Sequence, residues 1–302
     1  MNAARRALRL TTAILAAGVT AGLLAGEPAV ADTVLVADPT VRNVTAYGVT
    51  AAWSRRAADG THRLVVTDAA GVPADAAVRS SSVPFDPDLG PTRTNGRLVV
   101  YSRCKTGSAT RGCDVYGYDV ATRAERRLAV SSRTRSEVGP SFFKGTLAFG
   151  RTGSRGGLYV APDRRPARRL WSGVTDQTDL SPTRVIASNA ATVRISQPGG
   201  DHARTLRRGT RGEEAETVVS SPVLARYRAF WLVTSRELAS PDPARSIVET
   251  VSVRSAARRV GRVGRPFAGA VNGFALGSAS VPELTSGATG ISQVVPLLVI
   301  PG

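Results

Sequence analysis

The chain has 302 residues and a formal net charge of +17, from 40 lysines and arginines against 23 aspartates and glutamates. Its basic residues are spread along the sequence and accompany no RNA- or DNA-binding motif, so the charge does not predict a nucleic-acid partner. Two histidines and two cysteines are too few for a four-ligand zinc site. No phosphate-loop or dinucleotide fingerprint is present, and we therefore expect no cofactor and no metal.

The first 31 residues have the three parts of a secretory signal peptide. They are a basic region with Arg5, Arg6 and Arg9, an apolar run from Leu10 to Gly26, and an A-x-A cleavage site at Ala29-Val30-Ala31. The apolar run is about 17 residues long and rich in small residues, which is barely enough for a retained anchor. We predict a signal peptide over 1–31, with the Sec route preferred because Arg5-Arg6 is only a partial twin-arginine signal. The protein is then secreted or envelope-associated and peripheral to the membrane at most.

Short apolar or β-branched runs follow, separated by Gly, Asp, Asn, Ser and Pro, which is the pattern of an all-β fold. A turn followed by an apolar strand occurs six times, as "AYGVTAAWS", "TNGRLVVYS", "FKGTLAFGR", "SPTRVIASN", "ARYRAFWLV" and "VNGFALGSA". A strand, a polar turn and another strand follow five of these copies, beginning at "HRLVVT", "DVYGYD", "GLYVAP", "TVRISQ" and "VETVSV". The repeat length, about 45 residues, predicts a six-bladed β-propeller of four-stranded antiparallel blades. A single sandwich has too few strands for this sequence.

The two ends of the mature chain are predicted to close the ring. A propeller commonly completes its last blade with a strand from the other terminus, and "DTVLVADP" after the cleavage site can pair with the terminal "SQVVPLLVIPG". Residues 32–302 are then a single propeller domain, which we expect to be monomeric.

The chain resembles the TolB-like six-bladed propellers, in particular secreted members from high-GC Gram-positive bacteria. The resemblance rests on the repeated L-Y-V/Y-D-x-x-x-x-R-x-L hairpin, on "FDPDLG" and on "YSRC" followed by "GCDVYGYD". The P-x-[FW]-S-P-D-G blade signature is reduced to "GPSFFKGTLAF" at 139–149. The resemblance therefore implies the fold and the compartment, and it carries over no TolB partner.

The only two cysteines, Cys104 and Cys113, lie between two predicted strands of the second blade. In an oxidising compartment such a pair predicts a disulfide, whereas a redox pair would favour C-x-x-C. The bridge would hold the loop "KTGSATRG" in a defined shape, which lowers the cost of ordering it on binding.

Several carboxylates are candidates for chemistry. Asp86 and Asp88 in "FDPDLG" are two residues apart, so on an extended strand they point the same way. We interpret them as groups that cap turns and bond blade backbone, with a calcium site as the alternative. The other candidates are Asp114, Asp119, Asp176, Asp179 and the glutamates at 213, 214 and 216. His62 and His202 occupy turn-to-strand settings typical of exposed residues, and no serine lies in a G-x-S-x-G elbow, so a catalytic triad is not predicted.

These observations favour a non-catalytic propeller that binds a protein or an anionic cell-envelope polymer through its rim or channel. Arginine-rich surfaces suit carboxylate and phosphate partners, although a solvated surface with biased codons gives the same composition. The predicted binding residues are Asp86, Asp88, Arg103, Lys105 and Arg111. A hydrolase or lyase with carboxylates at the channel mouth, acting on a glycan or lactone, is the alternative. A structural envelope protein is the third hypothesis, because the fold alone does not choose among the three.

Overall fold

The computed structural model describes residues 40–47, 50–68, 70–105, 108, 110–132, 134–163, 165–224, 228–238, 245–252, 261–263, 270–271, 274–280 and 292–298. These residues form 24 β-strands in six antiparallel sheets. The strands belong to one compact unit, Asp32–Gly302. The described residues contain no helix with the length and apolarity needed to cross a membrane.

Five sheets have four or five strands each, and we number them blades 1 to 5. Blade 1 consists of β1 (Val41–Tyr47), β2 (Thr50–Arg56), β3 (His62–Thr67) and β4 (Pro73–Asp75). Blade 2 consists of β5 (Asp88–Pro91), β6 (Arg97–Arg103), β7 (Asp114–Asp119) and β8 (Ala124–Arg127). Blade 3 consists of β9 (Glu137–Phe143), β10 (Thr146–Arg151), β11 (Gly157–Ala161) and β12 (Arg168–Ser172).

The remaining sheets follow in chain order. Blade 4 consists of β13 (Gln177–Leu180), β14 (Val185–Asn189), β15 (Thr192–Ser196) and β16 (Arg204–Arg208). Blade 5 consists of β17 (Thr210–Arg211), β18 (Ala215–Leu224), β19 (Arg228–Glu237), β20 (Arg245–Ser252) and β21 (Gly261–Val263). The sixth sheet has three strands, β22 (Ala270–Val271), β23 (Phe274–Ser280) and β24 (Ser292–Leu298).

The sequence repeats coincide with equivalent strands. The turn-and-strand repeat contains β2, β6, β10, β14, β19 and β23, and the second repeated element forms the two strands that follow in each of the five blades. Central strands such as β6 are buried at consecutive positions, because adjacent blades cover both faces of the sheet. Outer strands such as β4 are exposed throughout, which explains their polar sequences.

The inner strands follow one another around a central channel. β1 lies beside β5, β5 beside β9, β9 beside β13, and β13 beside β18, while β22 contacts both β18 and β1. The prediction of six blades is wrong, because the part of the chain that the structure describes has five. The repeats give the physical reason: the two-strand element that completes a blade occurs five times, and among the described residues the last turn-and-strand copy belongs to a three-stranded sheet.

Apolar side chains fill the spaces between the blades. The aromatic residues predicted as core are buried, with exposed fractions of 1% for Trp53, 0% for Phe149, 6% for Tyr159 and 2% for Trp231. Trp171, for which a rim position was an open alternative, is also buried and packs between blades 3 and 4. These five aromatic side chains therefore belong to the core and are not available to stack against a carbohydrate.

Glycines allow the inner parts of adjacent blades to approach closely. A Cβ added at Gly90 of blade 2 would lie 1.9 Å from the carbonyl oxygen of Phe142 in blade 3. A Cβ added at Gly139 of blade 3 would lie 2.1 Å from the carbonyl oxygen of Asp176, next to blade 4. Backbone packs directly on backbone at these two points, so a side chain is excluded from both.

The predicted signal peptide and the predicted closing strand at 33–36 lie outside the described residues. Within the described part of the chain, β24 pairs with β23 alone. Pro296 in β24 lies opposite Leu276 and has no N–H to donate to a ladder.

Candidate functional site

The channel is narrow, with a volume of about 90 Å³, and polar residues of the inner strands line it. The inner strands alternate between two forms. In blades 1, 3 and 5 the strand is interrupted by a β-bulge, where Asn43, Gly139 and Ser221 have positive φ angles of 49°, 52° and 48°. In blades 2 and 4 the pairing of the inner strand is regular.

In blades 3 and 5 the bulged strand donates a backbone N–H to a side chain of the preceding blade. Asp86 of blade 2 accepts a hydrogen bond at its Oδ2 from the backbone N–H of Gly139, at 2.9 Å. Gln177 of blade 4 accepts one at its Oε1 from the N–H of Ser221, at 2.6 Å. A bulge removes an N–H from the strand ladder, and the preceding blade supplies the missing acceptor.

A second set of contacts lies two residues further along each inner strand. In three cases a side chain accepts the backbone N–H of the next blade: Thr45 Oγ1 from Leu89 at 3.2 Å, Asp88 Oδ2 from Phe142 at 2.8 Å, and Asp179 Oδ2 from Leu224 at 2.5 Å. These side chains therefore join blades 1 to 2, 2 to 3 and 4 to 5.

The remaining oxygens of the channel carboxylates are also bonded. Asp86 Oδ1 accepts the backbone N–H of Ser102 at 2.6 Å, and the Ser102 hydroxyl donates to Oδ2 at 2.8 Å. Asp88 Oδ1 accepts from the Thr45 hydroxyl at 3.3 Å. Asp179 Oδ1 accepts from the N–H of Leu180 at 2.6 Å and from the Ser141 hydroxyl at 3.3 Å. The arrangement agrees with the interpretation that Asp86 and Asp88 bond blade backbone.

Burial gives these carboxyl groups unusual acidities. Desolvation raises the pKa of Asp88 to about 6, against the hydrogen bonds it accepts. Desolvation also raises the pKa of Asp179, and the nearby charge of Asp88 raises it further. The pKa of Asp86 is raised by the same burial. Asp86 and Asp88 keep some surface facing the channel, but the channel is too narrow to hydrate them as bulk water would.

The raised pKa of Asp88 predicts a pH-dependent stability. The native pKa of about 6 lies above the ordinary value of 3.8, so the native state holds the proton more tightly than the unfolded state. This stabilisation is present below about pH 4 and is lost as the pH rises through 6, by up to about 3 kcal/mol.

The Asp88→Asn variant tests this pH dependence. Its amide oxygen still accepts from Phe142, so we expect the unfolding free energy of the variant to vary less with pH than that of the wild type and to exceed it at pH 7.5. Urea unfolding at pH 4.5 and 7.5 measures this difference, with the exposed Asp201→Asn as control. Parallel pH profiles for wild type and Asp88→Asn would contradict it.

The two histidines have different surroundings. His62 is 9% exposed, so its predicted exposure is wrong. The backbone of His62 forms an antiparallel β-bridge with Ser81, with hydrogen bonds in both directions. Burial lowers the pKa of the His62 ring. His202 is exposed in a turn as predicted. Among the described residues no three His, Cys, Asp or Glu side chains form a group that could hold a metal ion, and the oxygens of Asp86 and Asp88 face N–H and O–H donors.

The channel opens into a recess of about 450 Å³ on one face of the propeller. Residues of all five blades line this recess, among them Asp86, Asp176 and Gln177. The loop between β6 and β7 also contributes to its wall. Cys104 and Cys113 of this loop are joined by a disulfide, and Cys104 and Thr110 face the recess. The disulfide is compatible with an extracellular protein.

The three predicted cationic binding residues differ in their surroundings. Lys105 and Arg111 are exposed on the disulfide loop. The side chain of Arg103 is only 18% exposed, and its guanidinium forms an ion pair with Glu125. The guanidinium also lies 4.3 Å from the centroid of the Tyr116 ring. Arg103 therefore makes its contacts within blade 2. Asp86 lines the recess together with Cys104 and Thr110 of the disulfide loop, whereas Asp88 lies deeper in the channel.

Sequence reasoning gave no role to Asn43 and Gln177, which line both the channel and the recess. The signal was present as the recurring segments "RNVTAY", "FDPDLG", "VGPSFF", "DQTDL" and "SSPVL", each of which precedes a turn-and-strand repeat. Aligning these segments places Asn43, Asp86, Gly139, Gln177 and Ser221 at one position of the blade.

Removal of the disulfide should lower stability without unfolding the protein. Closing a loop of this length removes unfolded-state entropy worth about 2.5–3 kcal/mol. We expect the Cys104→Ser, Cys113→Ser variant to lose about this amount and to remain folded, because the bridge spans only the β6–β7 loop. Urea unfolding in non-reducing buffer measures the loss, and reductant should bring the wild type to the same midpoint. Two free thiols in the wild-type protein purified without reductant would contradict the prediction.

Antiparallel four-stranded blades around a channel define this protein as a β-propeller. No protein-family model and no curated protein matches the chain. Among solved structures it is similar to the AfRom2 CNH domain, with 10% identity over 85% of this chain and 80% of that chain and a TM-score of 0.43. The β-propeller domain of the trilobed protease from Pyrococcus furiosus, which has an open velcro topology, gives 9% identity, 79% and 76% coverage and a TM-score of 0.45. The structure of an ancestral GH74 enzyme has 10% sequence identity over 85% of this chain and 43% of that chain, with a TM-score of 0.47. These likenesses concern the fold.

Proposed function

We propose that this protein is an exported, non-catalytic propeller that binds a protein or an anionic cell-envelope polymer at the recess where the channel opens. The proposal rests on one observation: the channel carboxylates accept hydrogen bonds from the strands around them. Asp86, Asp88 and Asp179 direct their oxygens at N–H and O–H groups of the strands. A general acid or base must instead reach a substrate proton.

The recess has the features of a binding surface. Its volume of about 450 Å³ falls in the range of ligand sites. The disulfide loop at its edge carries the exposed cations Lys105 and Arg111, and a loop held by a covalent bridge loses little conformational entropy on binding. Export is supported by the signal-like sequence of residues 1–31, by the disulfide and by the resemblance to secreted TolB-like propellers.

Binding to envelope material tests the proposal. Purified protein lacking residues 1–31 is sedimented with isolated envelope fragments at low and high salt. We expect saturable, salt-sensitive binding that the Lys105→Ser, Arg111→Ser variant weakens by about five-fold or more, since two exposed charge contacts are lost. The Arg204→Ser, Arg208→Ser variant makes the same charge change on the exposed outer strand of blade 4 and should bind as the wild type does. Equal binding by both variants would overturn the proposal.

A hydrolase or lyase acting on a glycan or lactone is the second candidate, and Asp176 favours it. This residue lines the recess, and desolvation raises the pKa of its carboxyl group, opposed by one hydrogen bond from the Ala190 backbone. A raised pKa in a recess suits a general acid. Turnover of a glycan or lactone substrate that Asp176→Asn abolishes, with the fold intact, would establish this function in place of the first.

A further inference from the structure

A second recess lies between blades 2 and 3 and shares no lining residue with the channel mouth. This interblade cleft has a volume of about 700 Å³. Its apolar floor consists of Leu98, Leu128 and Val130 from blade 2 and Phe142, Leu147 and Ala161 from blade 3. The cleft can therefore accept side chains as well as solvent.

The floor of the cleft continues the hydrophobic core between the two blades. Leu98, Leu147 and Ala161 are buried members of that core, and Leu128 and Phe142 pack against it while keeping part of their surface open. The core is thus incompletely covered along the cleft. An apolar side chain placed here would remove both its own surface and that of the floor from water, which favours binding.

Arginines stand around this floor. Arg93, in the turn between β5 and β6, has a side chain that is 66% exposed and lies 3.2 Å from Asp163. Arg126 on β8 and Arg165 in the turn between β11 and β12 are exposed. No carboxylate within the described part of the chain pairs with the guanidinium of Arg126 or Arg165. These two cations belong to different blades, so positive charge faces the cleft from both sides.

From this combination we infer that the interblade cleft binds an extended acidic segment of a partner protein, with an apolar side chain of that segment on the floor. A sugar-phosphate polymer has no apolar group to place on the floor. A lipid concentrates its charge at one end, whereas the arginines come from three elements on two blades. An extended peptide presents carboxylates at intervals on one face and apolar groups on the other, and bidentate contacts suit guanidinium groups to those carboxylates. The inference goes beyond the proposed function because it assigns a second surface.

A labelled synthetic peptide in which Asp alternates with Leu is the probe, and fluorescence anisotropy measures its binding to the full mature chain. We expect saturable binding that the Arg126→Ser, Arg165→Ser variant weakens by about ten-fold, because two exposed charge pairs are lost. Ala129→Trp places an indole at an exposed position of the cleft wall and should abolish binding. The Arg204→Ser, Arg208→Ser variant controls for net charge and should bind as the wild type does.

Two further peptides separate the contributions of charge and apolar surface. Replacing Asp by Lys should abolish binding, and replacing Leu by Ser should weaken it by more than ten-fold. Equal affinity of the Leu and Ser peptides, or equal loss in both double-arginine variants, would overturn the inference. Arginine-dependent binding of phosphatidylglycerol vesicles without any peptide binding would overturn it in favour of a lipid. The Lys105→Ser, Arg111→Ser variant should bind the peptide normally, so failure at the channel mouth and failure at the cleft are distinguishable.

Discussion

Replacing Gly90 with alanine is expected to lower the free energy of unfolding by about 3 kcal/mol, at the upper end of the usual cost of overpacking. The new Cβ would lie 1.9 Å from the carbonyl oxygen and 2.9 Å from the carbonyl carbon of Phe142. Both atoms belong to the backbone of the next blade, so no rotation of a side chain relieves the clash. Blades 2 and 3 must move apart, which weakens the hydrogen bond from Phe142 to Asp88. Urea unfolding measures the loss.

Gly199→Ala is the matched control for this substitution. Its added Cβ would approach nothing closer than 3.3 Å, and the nearest atom is the end of the flexible Asp201 side chain in an exposed turn. We expect its stability to stay within about 0.5 kcal/mol of the wild type. If Gly90→Ala and Gly199→Ala unfold at the same urea concentration, the close backbone contact between blades 2 and 3 is not present in solution.

Replacing Glu137 with glutamine is expected to cost about 3 kcal/mol. The side chain of Glu137 is fully buried, its Oε1 lies 3.0 Å from Arg151 Nε, and its Oε2 accepts the backbone N–H of Ser132 at 3.0 Å. Arg151 is only 13% exposed and its guanidinium lies 4.5 Å from the centroid of the Tyr159 ring. The neutral amide of the variant would leave this positive charge buried without a carboxylate, and chemical denaturation at pH 8 measures the loss.

The loss caused by Glu137→Gln should not shrink on acidification. Burial raises the pKa of Glu137, in opposition to Ser132 and Arg151, so protonation of this group stabilises the native wild type as the pH falls, and the variant lacks the titrating group. Glu216→Gln removes the charge from a pair whose arginine, Arg236, is 57% exposed, and should cost less than about 1 kcal/mol. Equal losses from Glu137→Gln and Glu216→Gln would show that burial adds nothing to the first pair.

The strands could be predicted from the sequence because each copy of the repeat contains, within a few residues, the turn and apolar residues that form a strand. Each copy of the turn-and-strand element alternates glycine or polar turn residues with β-branched and apolar residues, and this pattern suffices to form a strand such as β6 or β10. Blade number depends on which strands complete each sheet, and that information is spread over the five two-strand elements. Counting the more frequent repeat led to six blades in place of five.

The sequence alone identified Asp86 and Asp88 as candidates, because their spacing is a local pattern. It did not identify their hydrogen-bond partners. Asp86 and Asp88 share one side of an extended segment, which their spacing shows. Their acceptor role depends on the N–H groups of Gly139 and Phe142, more than 50 positions away. Proximity of that kind follows from the packing of blades, and single-sequence patterns do not encode it. The buried pairing of Glu137 with Arg151 and the cleft between blades 2 and 3 were missed for the same reason.

The alternation of bulged and regular inner strands makes the pair of blades, and not the single blade, the unit of assembly at the channel. Blades 1, 3 and 5 contribute the bulge, and blades 2 and 4 contribute the regular strand whose side chain accepts its N–H. Removing blade 2 or blade 4 would place two bulged strands side by side and leave the N–H of Gly139 or Ser221 without its acceptor. From blade 2 to blade 5, each blade with a regular inner strand and the bulged blade that follows it should therefore be exchanged together.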